Sequence, residues 1–280
     1  MTVITTSDEM RRTVGRWHAA GDTVCLVPTM GSIHAGHLAL VDIARQNSRR
    51  VVVSIYVNPT QFAAGEDFAN YPRNFQADQH AIDAAGGVDA IYAPQAMYGD
   101  DHATSIVPSG VAQSMEGASR PHFFTGVATI VFKLFQHVPA SFAVFGEKDF
   151  QQLAVLRQMV TDLDLPISLI AHPTIREADG LAVSSRNHYL TAGQRAIAPI
   201  LYRTLDTCAG EIRAGGVIDE TLDAAKARLL AAGFDKIDYL DLRDAARLAT
   251  STEARADDRL LVAALLGETR LIDNCNIGGG

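Results

Sequence analysis

Val24-Cys25-Leu26-Val27-Pro28-Thr29-Met30-Gly31-Ser32-Ile33-His34-Ala35-Gly36-His37-Leu38 is the stretch that decides how the chain is read. Its uncharged apolar start has the character of a buried strand, and Pro28 and Gly31 mark a tight loop. From residue 38 to 45 apolar side chains return at helical spacing. The segment therefore reads as strand, loop and helix start, with two imidazoles at the junction. A helix N-terminus carries unpaired N–H groups and partial positive charge, which suits an anionic phosphate. His34 and His37 can add donors to phosphate oxygens there without a lysine.

The same alternation continues outward. Strand-like runs at 24–27, 51–56, 90–93, 142–145 and 167–171 alternate with amphipathic segments at 38–45, 78–85, 127–137 and 151–161. Mostly apolar strands joined by helices indicate an α/β fold with a parallel sheet covered on both faces. Ligands gather at the carboxyl ends of such strands, so the loops beginning at Pro28, Val57, Pro94 and Gly146 are the places to look. Beyond Thr174 the pattern changes. Thr191-Ala192-Gly193-Gln194 is a capping-box signature, followed by Ile197, Ile200, Leu201 and Leu205 at helical spacing. A second helix is expected over 219–232, ending at Gly233, and strands over 236–243, 260–266 and 269–273. Helices followed by clustered short strands suggest a smaller α+β domain with an antiparallel sheet. The expected domains are thus 1–174 and 175–280, with a frayed glycine end at 278–280 and no internal repeat.

Bulk properties narrow the function classes. The chain has 280 residues, 48% of them hydrophobic and 20% charged, enough for one large or two medium domains. A net charge of -8 argues against nucleic acid or an anionic membrane as partner, while leaving room for a small phosphorylated ligand. Cys25, Cys208 and Cys275 are too few and too scattered for a disulfide framework or a paired metal site, so a reducing, cytoplasmic setting is expected. The start MTVITTSDEMRRTVG lacks the apolar core of a signal peptide, and no run has transmembrane length.

Each motif has a plainer reading beside the functional one. His34 and His37 alone could be solvated polar residues, or half of a zinc site, although no Glu or Cys accompanies them as a His-Glu-x-x-His site requires. Gly31 and Gly36 suggest a phosphate loop, but no Lys-Ser/Thr pair follows. Asn58-Pro59 can be a simple turn; Gln61 beyond it offers donors and acceptors to a hydroxyl or carboxylate. Gly146-Glu147-Lys148-Asp149 can be a solvated turn, yet its place after a strand suits a phosphate-facing lysine. Gln152 shares a face with Lys148 if a helix begins there. Ser184-Ser185-Arg186-Asn187, after the Gly180 hinge, offers two hydroxyls and a guanidinium to a polyphosphate, or is an ordinary polar loop.

Taken together and in order, six segments resemble the pantoate–β-alanine ligase (pantothenate synthetase) family, a branch of the His-x-Gly-His nucleotidylyl transferases. They are residues 28–37, Val57-Asn58-Pro59-Thr60-Gln61-Phe62, Tyr71-Pro72-Arg73, Gly117-Ala118-Ser119-Arg120-Pro121, Gly146-Glu147-Lys148-Asp149 with Gln152, and Ser184-Ser185-Arg186-Asn187. The resemblance implies a Rossmann-like, doubly wound sheet with a smaller C-terminal α+β lid, and a homodimer. It implies ATP as co-substrate, with Mg²⁺ held mainly by the phosphates and no direct protein ligand for the metal. The reaction implied joins (R)-pantoate to β-alanine through a pantoyl adenylate, with AMP and diphosphate released. By the same resemblance His37, His34 and Lys148 are catalytic. Met30, Gly31, Ser32, Ile33, His34, Ala35, Gly36, His37, Gly146, Glu147, Lys148, Asp149, Ile175, Val183, Ser184, Ser185 and Arg186 bind ATP. Gln61, Gln152 and Asn58 hold pantoate and β-alanine, with Arg120 as a more distant contact. Asp78 resembles a carboxylate near the metal in relatives. Val183 departs from the Met or Leu common before Ser-Ser-Arg, which keeps an apolar residue there. Two other readings stay open at this point. One is another nucleotidylyl transferase acting on a phosphorylated substrate; the other is a nucleotide-binding module without turnover.

Overall fold

A computed structural model describes residues 1–63, 65–66 and 68–279. The chain opens on β1 (Thr2–Ile4) and α1 (Ser7–Ala19), two elements that apolar periodicity does not announce. There follow β2 (Val24–Thr29), α2 (Ala35–Asn47), β3 (Arg50–Ile55), α3 (Phe75–Ala85), β4 (Ala90–Tyr92), the one-turn α4 (Glu116–Ser119), α5 (Phe123–His137), β5 (Phe142–Gly146), α6 (Phe150–Asp162) and β6 (Ser168–His172). The six strands form one sheet in the order β1-β4-β3-β2-β5-β6, parallel at every pairing.

Side-chain alternation along β2 explains the two covering layers. Val24 and Leu26 face one core with α1, α5 and α6, while Cys25 and Val27 face the other with α2 and α3. All four are fully buried. α5 contributes most to the first core, burying Phe123, Phe124, Val127, Ile130, Val131, Leu134 and Phe135. Each such large apolar side chain contributes about 1.5–3 kcal/mol over its exposed state.

The chain order fixes where a ligand fits. From β2 the sheet grows through β3, β4 and β1 on one side and through β5 and β6 on the other. Connections leaving β2 and β5 therefore diverge, and a crevice opens between their carboxyl ends. The loop after β2 and the turn after β5 both sit there.

The rest of the chain builds α7 (Ala192–Ile197), α8 (Ile200–Arg213), α9 (Ile218–Ala231), β7 (Lys236–Arg243), β8 (Arg259–Leu266) and β9 (Thr269–Asn276). Thr191 and Gln194 form the reciprocal capping box that their spacing suggests. The strands make an antiparallel sheet β7-β8-β9, with α8 and α9 sharing its core through Leu201, Leu205, Leu229, Leu240 and Val262. β9 runs to Asn276, three residues past the strand expected from the sequence, and the extension carries Asn274.

Candidate active site

A cleft of about 770 Å³ lies over the β2/β5 crevice and reaches the antiparallel sheet. Its size falls within the range of small-molecule sites. The β2 loop enters it through Met30, His34, Gly36 and His37, and the β5 turn through Gly146, Lys148 and Asp149.

The β2 loop is bent by two successive left-handed residues, Gly31 (φ 83°) and Ser32 (φ 53°). Asp78, buried near the start of α3, accepts from the Ser32 N–H at 3.0 Å and the Ile33 N–H at 2.8 Å. A Cβ on Gly31 would lie 2.7 Å from Asp78 Oδ2, so a glycine is needed both for φ and for room. Asp78 is thus a brace for the loop; its carboxylate is turned onto backbone amides.

His34 sits at the N-cap of α2 with extended backbone, and His37 one turn later. Their rings stack with centroids 3.9 Å apart and planes at 15°. Burial lowers the His34 pKa to about 4, with Lys148 and His188 adding to the effect. Burial, the adjacent His34 and Lys148 lower His37 to about 3. Both imidazoles are therefore neutral near pH 7. Their Nδ1 atoms are buried without a hydrogen-bond partner among the described residues. A neutral imidazole acts on an oxyanion by donating N–H, so positive charge in this cleft comes from Lys148, Arg186, Arg120 and Arg270, the last two facing Glu66 and Glu116.

Gln61 ends the single turn Pro59–Gln61 that follows β3. Its Oε1 accepts from Asn58 Nδ2 at 3.1 Å, its Nε2 lies 3.0 Å from Met30 Sδ, and its carbonyl accepts from Arg120 Nη2 at 3.0 Å. The turn packs on α5 so closely that a Cβ at Gly126 would be 2.4 Å from the Thr60 carbonyl oxygen. Gln152, on the first turn of α6, faces the same cleft. On the far side, Ile175 and Val183 are linked backbone to backbone (Val183 N to Ile175 O, 2.9 Å), and Ser184, Ser185 and Arg186 continue from there into the 3-10 turn Ser185–Tyr189. Ser185 Oγ meets Tyr71 Oη at 3.3 Å.

A sequence model described as pantoate-beta-alanine ligase matches residues 2–276. The chain belongs to the pantoate–β-alanine ligase family. It is 48% identical to the pantothenate synthetase of Caulobacter vibrioides, over 99% of this chain and 98% of that one. Identity to the enzyme of Rhodospirillum rubrum is 52%, over 96% of each chain. The crystal structure of pantothenate synthetase from Thermus thermophilus superposes with a TM-score of 0.93 at 42% identity, covering 99% of both chains. The Francisella tularensis pantoate–β-alanine ligase, complexed with β,γ-ATP and β-alanine, superposes with a TM-score of 0.84 at 30% identity, covering 100% of this chain and 99% of that one. The Rossmann-like α/β fold with a small C-terminal sheet is thereby shared with solved ligases.

Not every residue expected in this ligase's site reaches the cleft. Gly31, Ser32, Ile33 and Ala35 shape the loop without lining it, because the amides of Ser32 and Ile33 are turned to Asp78. Glu147 does not line it either; Arg259 Nη2 holds its carboxylate at 2.7 Å. Asn58 borders the cleft but is 1% exposed. Its Nδ2 reaches Gln61 and the Gly126 carbonyl, and its Oδ1 accepts from Thr60 and Tyr98, so its amide orients Gln61 and leaves none of its own bonds for a substrate. Arg120 is likewise engaged, by Glu66 and by Glu116 at 3.0 Å.

Glu116 was not marked by any motif and ties the halves together. It accepts from Arg120, from Arg270 Nη1 of β9 at 2.9 Å and from Tyr239 Oη of β7 at 3.2 Å. A glutamate beside a Gly-Ala-Ser-Arg segment carries no sequence signal for partners on strands more than a hundred residues away.

Proposed function

We propose that this ligase builds pantothenate in the β2/β5 cleft, with His34, His37 and Lys148 around the phosphates of ATP and Gln61 and Gln152 around pantoate. The observation that carries the reading is the convergence of those five side chains, from three separate segments, on one cleft. A carboxylate is a poor acyl donor because its oxygen leaves badly. A pantoate carboxylate oxygen attacks the α-phosphorus of ATP, the bond to the bridging oxygen breaks, and diphosphate leaves. The β-alanine amine then attacks the activated carbonyl and expels AMP, losing its proton to solvent. Transfers of this kind depend on alignment and on stabilising charge, not on covalent help from the protein. The neutral histidines donate N–H to phosphate oxygens, Lys148 and Arg186 supply positive charge, and Ser184 and Ser185 supply hydroxyl donors. Ile175 and Val183 supply backbone contacts to the nucleotide.

Mg²⁺ fits as a passenger on the phosphates. Asp78, the carboxylate expected near the metal, is turned onto the loop amides of Ser32 and Ile33. When bound, the ion neutralises phosphate charge.

Residues 1–174 form the nucleotide and pantoate domain in this reading, and 175–280 a lid. Support comes from the cleft wall, to which Tyr239, Arg270 and Asp273 of the antiparallel sheet contribute. The active form is taken to be a homodimer, to be checked by sedimentation. A reducing, cytoplasmic setting is supported by Cys25, Cys208 and Cys275, which are free thiols.

The test supplies ATP, β-alanine and pantoate labelled with ¹⁸O in its carboxylate. AMP carrying one labelled oxygen, with diphosphate and pantothenate, is the expected result. Formation of ADP and phosphate, or turnover indifferent to pantoate, refutes it.

A further inference from the structure

The turn that presents Lys148 is held from outside itself. Glu147–Asp149 has no side-chain cap at Gly146. Its polar groups are taken up instead by two residues of the antiparallel sheet. Asn274 Nδ2 donates to the carbonyl of Glu147 at 2.8 Å and to that of Lys148 at 3.0 Å. Asn274 Oδ1 accepts from Arg259 Nη1 at 2.6 Å, and Arg259 Nη2 reaches the Glu147 carboxylate at 2.7 Å. The same guanidinium lies 4.1 Å from the ring centroid of Phe150, where α6 begins. Asn274 is 3% exposed. Its orientation is determined, because a flipped amide would face two carbonyls with its oxygen and Arg259 with its NH₂.

The preceding residue does the same for the other phosphate loop. Asp273, also 3% exposed, grips Arg176 through both nitrogens, at 2.7 and 3.0 Å. Arg176 stacks 3.4 Å over Tyr202 and bridges to Ala182, in the segment that delivers Val183, Ser184 and Ser185 to the cleft. Successive side chains of a strand point to opposite faces, so one short piece of β9 can reach both loops.

We propose that Asn274 is a positioning residue for Lys148: it registers the lysine turn on the antiparallel sheet, while Asp273 registers the loop carrying Ser184 and Ser185 on the same strand. The proposal rests on the reading of Lys148 as the cation that meets ATP. Spacing between the two phosphate-binding segments is then a property of β9, not of the parallel sheet from which the lysine turn springs.

Asn274→Asp separates this role from packing. The variant keeps size and the acceptor for Arg259, but sets an oxygen against two carbonyls. Diphosphate release dependent on pantoate is expected to slow about 30-fold, in line with the sensitivity of positioned groups to shifts under 1 Å. The KM for pantoate is expected to stay within about twofold, since Gln61 and Gln152 are not held by this contact. The decisive readout is a double-mutant cycle with Lys148→Ala, followed in single turnovers at excess enzyme. If Asn274 acts through the lysine, Asn274→Asp costs less than about twofold in the Lys148→Ala background. A wild-type rate for Asn274→Asp, or the same loss with and without the lysine, overturns the proposal. Should Asn274→Asp not fold by circular dichroism, Asn274→Leu, similar in size but without a donor for the two carbonyls, enters the same cycle with the same two outcomes. Turnover by the wild type and its loss in Lys148→Ala report on the ligase reading separately.

Discussion

Gly126→Ala puts the packing of the Gln61 turn to a quantitative test. In a solvent-facing helix this exchange would stabilise by about 0.8–1.0 kcal/mol, since alanine loses less backbone entropy. Here the added Cβ falls 2.4 Å from the Thr60 carbonyl oxygen, 2.6 Å from its carbon and 2.8 Å from the Gln61 nitrogen. Ordinary C···O approach is about 3.3 Å, so the Pro59–Gln61 turn has to retreat roughly 1 Å. All three clashing atoms are backbone, and no rotamer change relieves them. Overpacking of this size costs about 1–3 kcal/mol, which cancels or exceeds the helix gain and leaves stability lower by up to about 2 kcal/mol. The functional effect is larger. The retreat also strains the 3.2 Å bond from Asn58 Nδ2 to the Gly126 carbonyl, and Asn58 is what orients Gln61. A 1 Å displacement of a substrate-positioning group lowers kcat/KM by up to about 10²-fold. Steady-state diphosphate release, with pantoate and ATP varied in turn, should show the loss in kcat/KM for pantoate while the KM for ATP holds. A variant with raised Tm and unchanged kcat/KM for pantoate would refute the reasoning.

His37→Ala should leave the circular dichroism spectrum intact and slow adenylation by about 10²–10⁴-fold, the range for losing a donor at a developing oxyanion; near-normal turnover removes His37 from the mechanism. Asp78→Ala strips two loop amides of their acceptor and should cost about 1–3 kcal/mol by urea denaturation. Its Mg²⁺ dependence of turnover should keep the wild-type midpoint, whereas a large shift in that midpoint would make Asp78 a metal-site residue. Stability should also fall with acid. His34 and His37 protonate near 6.5 when unfolded but only near 4 and 3 in the fold, so the unfolded chain binds more protons between those values. The contribution is complete above about pH 6.5 and is lost as pH drops through about 4 for His34 and about 3 for His37. Urea midpoints at pH 7.5 and 5 should differ less in His37→Asn than in wild type; equal differences count against it.

The sheet was legible because its strands are apolar on both sides, a signal that needs no partner to read. β1 and α1 were not. β1 is three residues long, and α1 buries only Met10, Thr13 and Val14 in a helix otherwise rich in charge. At the site, ligand-facing side chains were recognisable as ordered motifs, but their supports were not. Glu147 and Lys148 look equivalent in sequence, both charged and adjacent; only Arg259, more than a hundred residues later, makes one structural. Asn58 and Gln61 are both amides, and what separates them is Gly126 and Tyr98 closing around the first. Asp78 reads as a candidate near a metal until the loop amides 45 and 46 residues before it are seen to occupy its carboxylate.

The hold of Asn274 on the lysine turn has a consequence for when the enzyme can first work. Lys148 and the residue that seats it are 126 positions apart. Chains emerge at about 5–20 residues per second, with N-terminal parts folding first. The parallel sheet, made once β6 ends at His172, can therefore assemble on the ribosome about 5–20 s before Asn274 is added. On the proposal above, the growing chain then has its histidines and glutamines in place without a seated lysine until the last strand is made.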